Sequence, residues 1–117
     1  MDHYKHPRNS QPLEEKNLQA TAANYSCGDT VLCQALVRNN TLVSTGFMTS
    51  GCVISKAAAS LLSVDISGKQ LHELDSYSAD TIFSLLGMEL GPLRARCALL
   101  CLEALRSALK EYRENRA

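Results

Sequence analysis

The chain has 117 residues, enough for one domain that buries roughly two-thirds of the surface its unfolded form exposes. Its 12 basic and 12 acidic residues cancel, and Lys110, Arg113 and Arg116 near the end are interleaved with Glu111 and Glu114, so the electrostatic footprint of a nucleic-acid-binding protein is missing. No apolar run approaches the ~20 residues of a membrane helix, and Met1-Asp2-His3-Tyr4-Lys5-His6 lacks the apolar core of a secretory signal.

Residues 1–15 are polar, carry Pro7 and Pro12, and read as a loosely attached N-terminal arm of a single domain spanning 1–117. Leu18 to Asn24 is the first candidate strand. From Asp29 the alternation of Val31, Cys33, Ala35 and Val37 defines one face of a second strand. Asn39-Asn40 follows, a pair that tolerates positive φ and suits a two-residue hairpin turn. Thr41 to Met48 then returns as the paired strand, with Val43 and Phe47 expected on one side. After Gly51 the period changes. Ile54, Ala57, Ala58, Leu61 and Val64 recur at helical spacing, and Gly68 supplies a stop. Gln70 to Asp75 and Ser78 to Leu86 read as two short helices. Pro92 is suited to a first helical turn and opens a long last helix. Its expected apolar stripe is Leu93, Cys97, Leu100, Cys101, Ala104, Leu105, Ala108 and Tyr112. Strands first and helices after predict an α+β fold: a small antiparallel sheet with helices packed on one face and a long C-terminal helix.

The chemistry lies in the thiols. Five cysteines are an odd number with no short-spaced disulfide framework, which points to a reducing, cytoplasmic setting where free thiols serve metal or catalysis. Cys27 and Asp29 flank Gly28 just before the second strand; two residues apart in extended chain, they share a face ~6.6 Å apart. Cys52 begins a helix, where unpaired amides and the macrodipole favour a thiolate. Cys97 sits in the first turns of the last helix. Each of the three stands where an element starts or ends, and three thiols with one carboxylate make a nearly complete tetrahedral set. Such a set handles metal, sulfur or both. Cys33, four strand residues beyond Asp29, and Cys101, one turn deeper than Cys97, read as small core residues. His3, His6 and His72 fall in polar segments and are poor ligand candidates. A dithiol oxidoreductase is disfavoured by the lack of a Cys-x-x-Cys pair.

The same residues resemble the IscU/SufU/NifU-type iron–sulfur cluster scaffold family over nearly the whole chain. The resemblance runs through His3-Tyr4-Lys5-His6-Pro7-Arg8-Asn9, Cys27-Gly28-Asp29, Gly51-Cys52-Val53-Ile54-Ser55 with Ala57 to Ser60, and Gly68-Lys69. It ends in Leu90-Gly91-Pro92-Leu93-Arg94-Ala95-Arg96-Cys97-Ala98. It implies a three-stranded antiparallel sheet with packed helices and a surface site of Cys27, Asp29, Cys52 and Cys97. It also implies a role as a scaffold rather than a turnover enzyme. Such a protein accepts sulfur from a cysteine desulfurase, accepts iron, assembles a transient [2Fe–2S] cluster, and passes it to acceptor apoproteins.

Two departures bear on that role. The housekeeping scaffold branch carries a His before the third cysteine, where this chain has Arg96, and a guanidinium cannot ligate a metal. That branch also carries a Leu-Pro-Pro-Val-Lys loop read by an Hsp70-type chaperone; Leu90-Gly91-Pro92-Leu93-Arg94 keeps only part of it, which puts chaperone dependence in doubt. The zinc-binding, sulfur-carrier branch has a basic residue before that cysteine, as here, yet also an insertion that the short span from Cys52 to Cys97 lacks. The alternative reading is thus a zinc-dependent sulfurtransferase of the SufU type, with zinc in the same site. Under the scaffold reading Cys97, with Arg94 and Arg96 nearby in sequence, is the expected sulfur acceptor. Under the alternative, the acceptor is Cys27.

Overall fold

A computed structural model describes residues 8–24 and 28–116, the side chains only as far as Glu114. Three strands, β1 (Leu18–Asn24), β2 (Asp29–Arg38) and β3 (Thr41–Ser50), form an antiparallel sheet in the order β1-β2-β3. Four helices follow: α1 (Val53–Ile66), α2 (Leu71–Leu74), α3 (Ala79–Leu86) and α4 (Pro92–Arg116). This is the expected α+β arrangement, and no described helix is long and apolar enough to cross a membrane.

The hairpin between β2 and β3 turns on Asn39 and Asn40, both at positive φ (55° and 59°). That is the backbone a two-residue turn needs to match the strands' right-handed twist. The register then slips: Leu36 faces Ser44 while Val37 faces Leu42, so Val43 is left over as a bulge. The bulge corrects the expected β3 face. Val43 turns outward and is 47% exposed, and Leu42 instead joins Phe47 in the core. A strict period of two cannot pass through an extra residue without changing sides.

The core lies on one face of the sheet, where Val31, Cys33, Ala35, Val37, Leu42 and Phe47 meet the helices. On α1 the inward row is Ile54, Ala58, Leu62 and Ile66, spaced by four. Leu61 is half-buried and Val64 faces solvent, a second correction to the expected stripe. The reason is that α1 is covered on several sides at once. It packs on β3, α3 and α4, and Ser60 and Ser63 on another flank bind the N-terminal segment. Leu93 also departs from its expected place, being 70% exposed at the start of α4, while Leu100, Cys101, Ala104, Leu105 and Ala108 are buried.

The described part of the N-terminal segment is hydrogen-bonded along its length. The Arg8 amide donates to Ser60 Oγ (2.8 Å) and Asn9 Nδ2 to Ser63 Oγ (3.0 Å). The Leu13 amide reaches Gln34 Oε1 (3.0 Å), and Asn17 exchanges two bonds with Val37. The outer edge of β3 is thereby closed: the Phe47 amide donates to Asn9 O and the Leu42 amide to Lys69 O, both at 2.8 Å. Closing an edge in this way removes a template for pairing with other chains. At the end of β2 and β3 away from their hairpin turn, polar and sulfur atoms gather in a cluster.

Candidate metal centre

Four elements end at that cluster. β2 begins there with Asp29, and β3 finishes there at Ser50. Helix α1 starts there after Cys52, and the first turns of α4 bring in Cys97. One ligand atom from each of Asp29, Cys52 and Cys97 lies within 4.8 Å of the others, close enough for a single ion to touch all three. Asp29 and Cys97 are buried, and Cys52 is half-buried. Cys27, the fourth residue of the expected set, lies outside the described residues, as do His3 and His6. Gly28, next to it, is at φ +77° and donates its amide to Asn24 O at 2.8 Å. His72 is exposed on α2 and is not among the converging groups.

Asp29 is the organiser. Its Oδ1 accepts the backbone amide of Cys52 (3.0 Å), which leads into α1 with no side-chain cap of its own. A buried carboxylate thus answers an orphan amide and the positive end of the helix dipole. Its Oδ2 accepts the Cys52 thiol (3.1 Å) and the Ser55 hydroxyl (2.7 Å). Burial by itself pushes the Asp29 carboxyl up, but the bonds from Ser55, the Cys52 and Cys97 thiols and the Cys52 amide outweigh it. The net result holds the group well below the usual carboxylate range. It is an anion ready to meet a cation.

Two residues of this arrangement lie outside the set expected from sequence. Gly51 adopts φ +137°, and a Cβ there would stand 2.0 Å from Asp29 Oδ1, so only glycine leaves room for the carboxylate. Ser55, 1% exposed, bridges Asp29 Oδ2 and the Cys97 carbonyl oxygen (3.1 Å) and lies 3.6 Å from Cys52 Sγ. The available signal was a hydroxyl one helical turn after Cys52.

The other cysteines sit where the pattern put them. Cys33 and Cys101 are free thiols in the core, each pushed up to about 12 chiefly by burial, with the neighbouring Cys101 adding to the effect on Cys33. Cys101 Sγ donates to Ala98 O at 3.5 Å. Thiols held neutral in this way are poor nucleophiles and poor ligands.

A three-stranded sheet under a long helix, with a carboxylate and cysteines gathered at one end, defines a small thiol-bearing α+β domain. The chain belongs to the family of the NifU-like N-terminal domain, which matches residues 1–117. It is 34% identical to the iron–sulfur cluster assembly protein IscU of Plasmodium falciparum, over 97% of this chain and 71% of that one. The iron–sulfur cluster assembly scaffold protein IscU of Haemophilus influenzae is 30% identical, over 97% and 91%. Among solved structures, one described as a cluster assembly scaffold for the SUF system of Fervidobacterium islandicum superposes with a TM-score of 0.78 at 25% identity, covering 93% and 92% of the two chains. The NifU-like N-terminal protein of Brucella abortus has the same fold, with a TM-score of 0.79 at 18% identity over 97% and 90%.

Proposed function

We propose that this chain is a scaffold for iron–sulfur cluster assembly and not a turnover enzyme. The observation that carries the reading is the convergence of Asp29, Cys52 and Cys97 to within 4.8 Å at a half-open end of the sheet. The donor set fits the cargo. Thiolates are the preferred ligands of iron–sulfur centres, and a single carboxylate is a harder, more weakly held partner for them. Cys27 completes the set in this reading. A cluster with one such oxygen ligand is held firmly enough to form and loosely enough to pass on. The relatives named above, a cluster assembly protein and a cluster assembly scaffold protein, support the same role.

In the sulfur-accepting step a thiolate, which we assign to Cys97, attacks the outer sulfur of a desulfurase persulfide. A new S–S bond forms on this chain, and the donor cysteine leaves as thiolate. Iron, a cysteine desulfurase and acceptor apoproteins are the partners this role requires, in a cytoplasmic setting that keeps the thiols reduced. One observation favours a second reading, a zinc-dependent sulfur carrier. A mixed thiolate–carboxylate set of this kind also suits zinc. In that case Cys27 takes the sulfur while zinc occupies the same site.

One experiment separates them. The protein is purified anaerobically, zinc and iron are counted, and iron(II), cysteine and a desulfurase are supplied while visible absorbance is followed. Persulfide is trapped by alkylation after one turnover and mapped. A cluster chromophore with label on Cys97 supports the scaffold. Label on Cys27 alone, with zinc retained and no chromophore, overturns it in favour of the carrier.

A further inference from the structure

Ser55 touches every described residue of the cluster, yet it is not itself among the thiolate and carboxylate donors. Its hydroxyl carries one proton and faces two acceptors, Asp29 Oδ2 at 2.7 Å and the Cys97 carbonyl oxygen at 3.1 Å. It can donate to only one at a time. A buried hydroxyl left without an acceptor is costly, and here a second acceptor is always within reach.

The Cys52 and Cys97 thiols and the Ser55 hydroxyl all donate to the Asp29 carboxylate, and metal binding affects them differently. When a cation binds Cys52, the thiol loses its proton and its hydrogen bond to Oδ2 with it. The Ser55 hydroxyl keeps its proton. It is therefore the side-chain donor that goes on aiming Oδ2 at the thiolates, while the Cys52 amide holds Oδ1. We propose that Ser55 is the positioning residue for Asp29. It keeps its hydrogen bond to Oδ2 and so orients the carboxylate toward a cation held by Cys52 and Cys97, with a second lone pair of that oxygen left for the metal. When Asp29 leaves the metal, the Cys97 carbonyl offers the buried hydroxyl another acceptor. This assignment rests on the scaffold reading above, since it concerns how the same site grips and releases metal. Outer partners of this kind tune metal sites through the ligands they orient.

The test uses zinc and cobalt(II) with the full chain. Zinc affinity is measured by competition with a chromophoric chelator, and the ligand field is read from the cobalt(II) visible spectrum. Ser55→Ala should weaken zinc about 10- to 100-fold and alter the cobalt bands. In an Asp29→Ala background the same change should have no effect, because its target is gone. Ser55→Thr, which keeps the hydroxyl, should bind zinc near the wild-type level even where the added methyl lowers the melting temperature. It decides the matter if Ser55→Ala fails to fold. Zinc binding by Ser55→Ala within about twofold of wild type, a full loss on the Asp29→Ala background, or a Ser55→Thr loss as large as that of Ser55→Ala overturns the positioning role. A wild-type chain that binds neither zinc nor cobalt through its thiols would instead sink the scaffold reading itself.

Discussion

Adding a single methyl group at Gly51 should dismantle the centre. In Gly51→Ala the new Cβ would fall 2.0 Å from Asp29 Oδ1, 2.4 Å from its Cγ and 2.9 Å from its Cα. No rotamer change relieves all three contacts, because one is to backbone. The substitution also places a side chain at φ +137°, a strain of roughly 1–3 kcal/mol. Displacing the carboxylate breaks the charge-assisted bond from the Cys52 amide, worth roughly 1.5–3 kcal/mol. The two together predict a loss of about 2.5–6 kcal/mol, a large share of the roughly 5–15 kcal/mol typical of a domain. Urea denaturation of the metal-free protein measures it, and chelator competition reads zinc affinity on the same samples. Gly28→Ala is the control. It also has positive φ (+77°), but a Cβ there meets nothing within 4 Å among the described residues, so only the strain of roughly 1–2 kcal/mol should appear. A Gly51→Ala protein within about 1 kcal/mol of wild type that binds zinc normally would refute the claim that Gly51 makes room for the Asp29 carboxylate.

Cys33→Ala and Cys101→Ala should each cost about 1–2 kcal/mol in urea denaturation through lost packing, with metal stoichiometry unchanged; loss of metal from either folded variant would place them in the site. Because burial lifts both thiols to about 12, the folded chain keeps protons that the unfolded chain releases near pH 9. Stability from this source is therefore full below that pH and falls above it, by up to ~1.4 kcal/mol per pH unit per thiol; the double alanine variant should show a shallower alkaline decline. Asp29→Ala should weaken zinc binding but lengthen the life of an assembled cluster, followed by the decay of its visible absorbance. Faster decay in the variant would count against Asp29 as the labile ligand.

Much of this was legible in the sequence because it is local. Alternation from Asp29 to Val37, the Asn39-Asn40 turn, the stop at Gly68 and the start at Pro92 each depend on neighbours a few residues away. The α+β order of elements follows from them. The placement of Cys52 and Cys97 at helix starts is equally local, and so is the core assignment of Cys33 and Cys101. What tertiary structure alone decided is non-local. The bulge at Val43 depends on how two strands settle against helices, so the exposed and buried sides of β3 could not be read from period two. The inward row of α1 shifted to Leu62 and Ile66 because that helix is enclosed by β3, α3, α4 and the N-terminal segment together, which no single helical stripe encodes. Ser55 and Gly51 show the same limit at the site. Asp29 and Ser55 are 26 residues apart in the chain, yet their oxygens meet at 2.7 Å. The sequence names the ligand types, but a hydrogen bond across that distance exists only once packing of the sheet on α1 has brought the two ends together.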